Sequence, residues 1–356
     1  MRTPRRLFAV AVIAIGAAAA MADHQVCVAQ TLVTLNAAPP ASWKKLAPSA
    51  SPSPRAATAM AYDPVSHRVV LFGGYDDLFY LNETWSFDGS TWRMETPPLS
   101  PSPRAAASLA YDAVSQRLVL FGGYDGAGYL GDTWVWNGAT STWENVPASV
   151  APPAVTGPVS FSDPVSGRAI VFGGFDGRFY QGGTWEFQGD GWTELTPATI
   201  PGERAAAAAG LDPVAHRVVM FGGLAGINPY NTWTWDGSDW AREQPTTQPR
   251  LVYDAGAAYS PQLGGVALFG GADAGTDLND TWLWNGADWS SVRTGRSPSS
   301  RESFGIAYDE QLNAVLVFGG QKGNTLYGDT WVLGPGGRPV RPPTLDVNPA
   351  LAVVKP

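Results

Sequence analysis

The chain alternates between short runs of apolar residues and polar, glycine-rich turns. Six of the apolar runs end in a Gly-Gly pair, and these pairs recur every 48 to 51 residues. The pairs are Gly73-Gly74, Gly122-Gly123, Gly173-Gly174, Gly222-Gly223, Gly270-Gly271 and Gly319-Gly320. A regular interval of this length is typical of folds assembled from repeated units. The pattern therefore predicts six similar structural units.

Each copy predicts four short strands joined by tight turns. In the first copy we predict strands at 56–62, 68–72 and 84–87, and a fourth from Thr91 onward, with Asp88-Gly89 as a hairpin turn. The composition agrees, since 41 Gly, 30 Pro and only 15% charged residues favour short strands over long surface helices.

Two tryptophan positions follow the Gly-Gly pairs and indicate how the structure closes. A Thr-Trp pair occurs in all six copies, whereas the second tryptophan is absent from the sixth. Trp43, ahead of the first copy, has the sequence context of the missing one. Four-stranded sheets with two apolar faces are stable when packed radially against each other. We therefore predict an all-β, six-bladed β-propeller of four-stranded antiparallel blades, with the ring closed by an N-terminal strand.

The repeated unit resembles that of the kelch-repeat family, in which an apolar run, Gly-Gly, a loop and two spaced aromatics follow each other. Residues 69–72, then Gly73-Gly74, Trp85 and Trp92, show this order, and the likeness covers residues 43 to about 333. The resemblance implies the propeller fold. It implies no particular activity, because kelch repeats serve enzymes, adaptors and glycan-linked proteins alike.

The N-terminus has the features of an export signal. Arginines at positions 2, 5 and 6 precede an apolar stretch, residues 7–22, which ends in small residues and is shorter than the ~20 residues of a membrane span. We expect a signal peptide at 1–22, a linker at 23–42, the propeller at 43–333, and a Pro/Gly-rich tail at 334–356 that is a linker or the start of a further β-domain. The protein would then be secreted or periplasmic, monomeric and without stable membrane insertion.

Charge and residue usage exclude several classes of function. The formal net charge of −8 disfavours a nucleic-acid partner. Cys27 is the only cysteine, so no intrachain disulfide can form. The three histidines, His24, His67 and His216, are too few and too scattered for a copper-radical oxidase, a zinc site or a Ser-His-Asp triad. We expect no metal and no cofactor, and we assign no catalytic residue.

Four arginines precede a Gly-Gly pair by the same interval and form the first candidate site. They are Arg55, Arg104, Arg204 and Arg301, and we align Ala154 of the third copy and Val252 of the fifth with them. One interpretation is that these arginines form a basic collar near one mouth of the propeller's central channel. The collar would bind a carboxylate or another anion. The other, which we favour, is that each arginine pairs internally with the residue before Thr-Trp, because ordered repeats reuse the same cross-strand pair.

The loops that follow the Gly-Gly pairs carry the second candidate site. In the first three copies an aromatic residue stands beside a carboxylate, at Tyr75-Asp76, Tyr124-Asp125 and Phe175-Asp176, with further aromatics nearby at Tyr80, Tyr129, Phe179 and Tyr180. Such pairs can stack on a sugar ring and accept its hydroxyl hydrogen bonds. Alternatively, the aromatics cover the blade ends and the aspartates form turns.

These features favour a binding or scaffold module outside the cytoplasm that recognises a protein or a glycan through the loop face. The alternative is a carbohydrate-active enzyme similar to the kelch-type sialic acid epimerases, in which an arginine would hold a sugar carboxylate and an Asp or Glu would move protons.

Overall fold

Each repeat folds into one sheet of four antiparallel strands, and the described residues contain six such sheets. The computed structural model describes residues 41–225 and 231–335. These residues contain no helix, and so none that would be long and apolar enough to cross a membrane. The predicted signal peptide, most of the linker and most of the tail lie outside the described residues and stay predictions, as do the expectations for Cys27 and His24.

Blades 1 to 3 have complete four-stranded sheets. Blade 1 consists of Ala59–Asp63, Arg68–Phe72, Thr84–Phe87 and Trp92–Glu95. Blade 2 consists of Ser108–Asp112, Arg117–Phe121, Thr133–Asn137 and Thr142–Val146. Blade 3 consists of Val159–Ser162, Ala169–Phe172, Thr184–Phe187 and Trp192–Leu195. In blade 1 the second and third strands match the prediction, whereas the first begins at Ala59 rather than at Ala56.

Blades 4 to 6 repeat the arrangement and add short two-residue ladders in their loops. Blade 4 consists of Ala208–Asp212, Arg217–Phe221, Thr232–Trp235 and Trp240–Arg242. Blade 5 consists of Gly256–Ser260, Gly265–Phe269, Thr281–Trp284 and Trp289–Ser291. Blade 6 consists of Gly305–Asp309, Ala314–Phe318, Thr330–Pro335 and Ala41–Lys45. The ladders pair Arg204–Ala205 with Leu224–Ala225, Ala272–Asp273 with Thr276–Asp277, and Gln321–Lys322 with Thr325–Leu326.

The N-terminal strand closes the ring, as predicted. Ala41–Lys45 pairs antiparallel with Thr330–Pro335, and Trp43 lies opposite Leu333. Both strands extend two residues beyond the predicted propeller bounds of 43 and 333. The first strands contact each other in sequence around the ring, and that of blade 6 contacts that of blade 1. The first strands therefore surround a central channel.

The fourth-strand tryptophans join neighbouring blades. Trp43 is 2% exposed, and its indole N–H donates a hydrogen bond to Oγ1 of Thr281. Thr281 is the first residue of the third strand of the preceding blade. The other five bonds of this kind, with donor–acceptor distances of 2.8–3.1 Å, are Trp92–Thr330, Trp143–Thr84, Trp192–Thr133, Trp240–Thr184 and Trp289–Thr232. Each of these six indoles thus has a partner for its one donor, as a buried polar group requires.

The apolar core lies between the blades. Trp134 and Trp136, which lie two residues apart on one face of their strand, pack with Ala59, Val70 and Phe72 of blade 1. Equivalent clusters fill the other five junctions. The paired aromatics of the third strands therefore pack between neighbouring blades.

Candidate functional site

The Gly-Gly loops define one face of the propeller, which we call the glycine face. The opposite face carries the turns between first and second strands, and we call it the turn face. Gly73 has φ +67°, and a Cβ on it would lie 2.5 Å from the carbonyl oxygen of Arg104 in the next blade. Gly74 N–H donates to that same oxygen at 2.9 Å. Because no other residue fits so close to a neighbouring backbone, glycine is required here.

The four candidate arginines lie beneath these loops and are at most 1% exposed. Arg104 binds both carboxylate oxygens of Asp132, at 2.6 and 2.8 Å, and the carbonyl of Gly122. Burial alone would raise the pKa of Asp132, but the bonds from Arg104 and Trp134 outweigh it and lower that pKa. The corresponding pairs are Arg55–Glu83, Arg301–Asp329 and Arg204–Asn231. Each guanidinium therefore has an internal partner, and a role for the arginines in anion binding stays an untested prediction.

Blades 3 and 5 lack the arginine. In blade 3 its backbone position is taken by Val155, whose N–H donates to the carbonyl of Leu130 as that of Arg104 does to Leu81. The alignment with Ala154 was therefore wrong by one residue, because Val155 stands 18 residues before Gly173, the interval that the four arginines keep. Val252 occupies the position in blade 5, as expected.

Six aromatic rings form a continuous row across blades 1 to 3 on the glycine face, and we call this row the aromatic ladder. Its members, in order, are Tyr75, Tyr80, Tyr124, Tyr129, Phe175 and Tyr180. Ring centroids lie 5.1–5.2 Å apart within a blade and 5.8–5.9 Å apart between blades, where the rings meet edge to face. These separations are those of favourable aromatic pairs.

Glycines in the next blade make the contacts between blades possible. A Cβ on Gly126 would lie 2.7 Å from Cε2 of Tyr80, and one on Gly177 would lie 2.3 Å from Cε2 of Tyr129. Beyond the ladder, Leu78, Phe79 and Phe179 extend into solvent, with Leu78 77% exposed. Blades 1 to 3 therefore present an apolar, aromatic surface on the glycine face.

The aspartates beside the ladder form turns. Asp125 Oδ1 accepts hydrogen bonds from the N–H groups of Ala127 and Gly128, both at 2.8 Å. These bonds lower the pKa of Asp125. Asp76 and Asp176 accept equivalent bonds in blades 1 and 3. The structure thus gives all three carboxylates the turn role that the sequence had left as the alternative to ligand binding.

A ring of six backbone hydrogen bonds surrounds the channel on the glycine face, and we call it the throat. Each member donates its N–H to the carbonyl of the equivalent residue in the preceding blade, at 2.6–2.9 Å. All six have positive φ between +51° and +59°. They are Ala57, Ala106, Gly157, Ala206, Asp254 and Ser303. The first strand of blade 1 starts late because Ala57 belongs to this ring.

Asp254 is the one ionisable member of the throat. Burial and then the charge of Glu302 raise its pKa to about 7, although a hydrogen bond with Ser303 acts in the opposite direction. The side chain is half-buried. Sequence reasoning did not find it, because the other members of the throat are Ala, Gly and Ser. A carboxylic acid that titrates near neutrality can take up or release a proton at physiological pH.

His67 and His216 lie in equivalent turns on the turn face, with φ +53° and +50°. They are therefore on the side opposite the Gly-Gly loops.

Comparison with known proteins agrees with this architecture. The family model described as KLHDC2/KLHL20/DRC7 Kelch-repeats domain matches residues 13–223, more than half of the chain. Among curated proteins, none matches the chain. The solved structure of YjhT is similar to it, with a TM-score of 0.63 and 18% sequence identity, over 80% of this chain and 95% of that one. At this identity the likeness to YjhT concerns the fold alone.

Proposed function

The chain belongs to the kelch-repeat family, and from that premise we propose that it is a binding module which recognises a protein partner through the aromatic ladder and the loops around it. Kelch propellers are typically scaffolds for protein interaction. The site, the partner and the cellular location are the parts that we propose.

The aromatic surface of blades 1 to 3 carries the proposal. Aromatic residues are enriched among the residues that dominate binding energy at protein interfaces, and contiguous apolar surface marks interaction sites. Phe79 and Phe179, 66% and 57% exposed, stand beside a ladder whose rings already hold each other in place. A surface held rigid before binding loses less side-chain entropy when a partner docks.

A glycan is the second ligand that such a surface suits, because rings stack on sugars and carboxylates accept from hydroxyl groups. Here Oδ1 of Asp76, of Asp125 and of Asp176 each accepts two backbone N–H groups. These oxygens are already engaged, which favours an apolar protein surface over a polyhydroxylated ligand.

The enzyme alternative has one supporting observation, the raised pKa of Asp254. The arginines that would hold a sugar carboxylate are paired and buried, which weakens it. NMR of sialic acid incubated with the protein and with Asp254→Asn distinguishes the two functions. Interconversion of epimers that depends on Asp254 would support an enzyme, and no interconversion in either sample supports the binding module.

We propose an extracytoplasmic location from the sequence of residues 1–22. Expression of the full chain and of a chain without residues 1–22, followed by fractionation and mass spectrometry of the N-terminus, tests it. We expect the full chain outside the cytoplasm and shortened at its start. A full-length chain recovered from the cytoplasm would contradict the location and leave the binding surface unaffected.

The binding surface is tested with matched variants on the two faces. One variant replaces Leu78, Phe79 and Phe179 by Ser, and the control replaces the exposed Val165 and Val214 of the turn face by Ser. Proteins retained by the immobilised wild-type chain are quantified for all three. We expect a partner that the first variant loses and the control keeps. Equal retention by both variants would contradict the proposed site.

A further inference from the structure

The central channel forms a cup that opens on the turn face, away from the loops to which the proposed function assigns a partner. Its volume is about 590 Å³, and it lies between the first strands of all six blades. Sites for small molecules typically have volumes of about 300–1,000 Å³. The throat lies at the opposite end of the channel, on the glycine face.

The lining of the cup is apolar inside and tyrosine-rich at its rim. Met60, Leu109, Phe161 and Ile306 line its interior together with small residues of blades 4 to 6. Four tyrosines occupy equivalent places near the ends of the first strands: Tyr62, Tyr111, Tyr259 and Tyr308. In blades 3 and 4 the equivalent residues are Ser162 and Leu211, so the rim is aromatic around two thirds of its circumference.

Charge at the cup is negative. Among the described residues that line it, Glu310 alone carries a charge. Burial first, then the charge of Glu310 and a hydrogen bond with it, raise the pKa of Tyr62, which places this carboxylate beside the rim.

The arginines at or just before the start of the second strands do not offset this charge, because they are directed along their blades. Arg68 bonds to Ser86, Arg117 to Glu144 and Arg168 to the carbonyl of Phe187, and Arg217 pairs with Glu243.

We propose that this cup binds a compact organic cation, an ammonium group on an aromatic or aliphatic body. The apolar interior removes the body of such a ligand from water. Aromatic rings attract a cation, and Glu310 supplies the opposite charge. An organic anion finds no positive side chain among the lining residues, so the cup selects by charge.

The test uses two probes of similar size and opposite charge, 1-naphthylmethylammonium and 1-naphthoate, in calorimetric titrations of the full chain at pH 7.5. We expect the ammonium probe to bind at least about tenfold more tightly than the carboxylate, a ratio that corresponds to 1.4 kcal/mol. Glu310→Gln should weaken binding of the ammonium probe about fivefold and should not weaken binding of the carboxylate.

Two further variants locate the binding. Ala209→Phe fills the cup and should abolish binding of the ammonium probe, whereas Phe79→Ala, on the glycine face, should leave it unchanged. Glu310 is exposed, so its substitution tests the proposal even where Ala209→Phe fails to fold. Equal affinity for both probes, no binding of either, or no effect of Glu310→Gln would overturn the proposal.

Discussion

Replacing Asp254 by Asn should change how the stability of the propeller depends on pH. A carboxyl group titrates near 4 in an unfolded chain, whereas the pKa of Asp254 in the throat is about 7. Between these values the folded protein holds more protons than the unfolded chain, so its stability falls as the pH rises from about 4 to about 7. The loss is complete above pH 7.

The magnitude follows from the size of the shift. A difference of about 3 pKa units corresponds to about 4 kcal/mol at 1.36 kcal/mol per unit. The side chain is half-buried and not fully removed from solvent, so we expect about half of this value in practice. Asn resembles the protonated carboxyl group in shape and tolerates the positive φ of this position, +52°. Asp254→Asn should therefore be about 2 kcal/mol more stable than the wild type at pH 8.5 and nearly equal to it at pH 4.

Urea denaturation of both chains from pH 4 to 8.5 is the assay. Asp125→Asn is the matched control, because the pKa of Asp125 is lowered and its contribution to stability is present above the unfolded pKa and is lost as the pH falls. The control should therefore be less stable than the wild type at pH 8.5, the opposite sign. If wild type and Asp254→Asn show the same pH dependence, the interpretation of the throat is wrong.

Three further substitutions test the fold and the ladder. Trp43→Ala should lower the free energy of unfolding by about 3–5 kcal/mol in urea denaturation, because it leaves a cavity between blades 5 and 6 and removes the hydrogen bond to Thr281. A loss below about 1 kcal/mol would contradict closure of the ring by this strand. Arg104→Ala should cost about 3 kcal/mol in the same assay, since it removes both bonds to a partly buried carboxylate and the bond to Gly122; an effect as small as that of an exposed arginine would refute a structural role. Gly177→Ala should alter the near-ultraviolet circular dichroism of the ladder, whereas Gly189→Ala, at a similar φ of +99° with no atom within 4 Å, should leave it unchanged.

The sequence was sufficient to predict the blades and their closure, because both depend on side chains that recur. The Gly-Gly positions require glycine because neighbouring backbones lie in close contact there. The position of Trp43 requires tryptophan because its indole bonds to the threonine of the preceding blade. Such requirements leave the same residue type in every copy, which makes the spacing visible in one chain.

The throat and the ladder could not be predicted in the same way. The throat is made by backbone groups, so its members share a conformation and not a side chain, as Ala57 and Asp254 illustrate. The aromatics of the ladder were identified individually, but the contact of Tyr80 with Tyr124 depends on the angle between two blades. That angle follows from closure of the whole ring and has no local signal in the sequence.

Site-specific photo-crosslinking tests the central claim, that the aromatic surface of blades 1 to 3 binds a protein partner, most directly. A photoreactive phenylalanine analogue is placed at Phe79 in one chain and at Val214, which is 76% exposed on the turn face, in the other. After irradiation in the cells that produce the protein, we expect one defined crosslinked species from position 79 and none from position 214. Crosslinks from position 214 alone, or the same products from both positions, would contradict the claim.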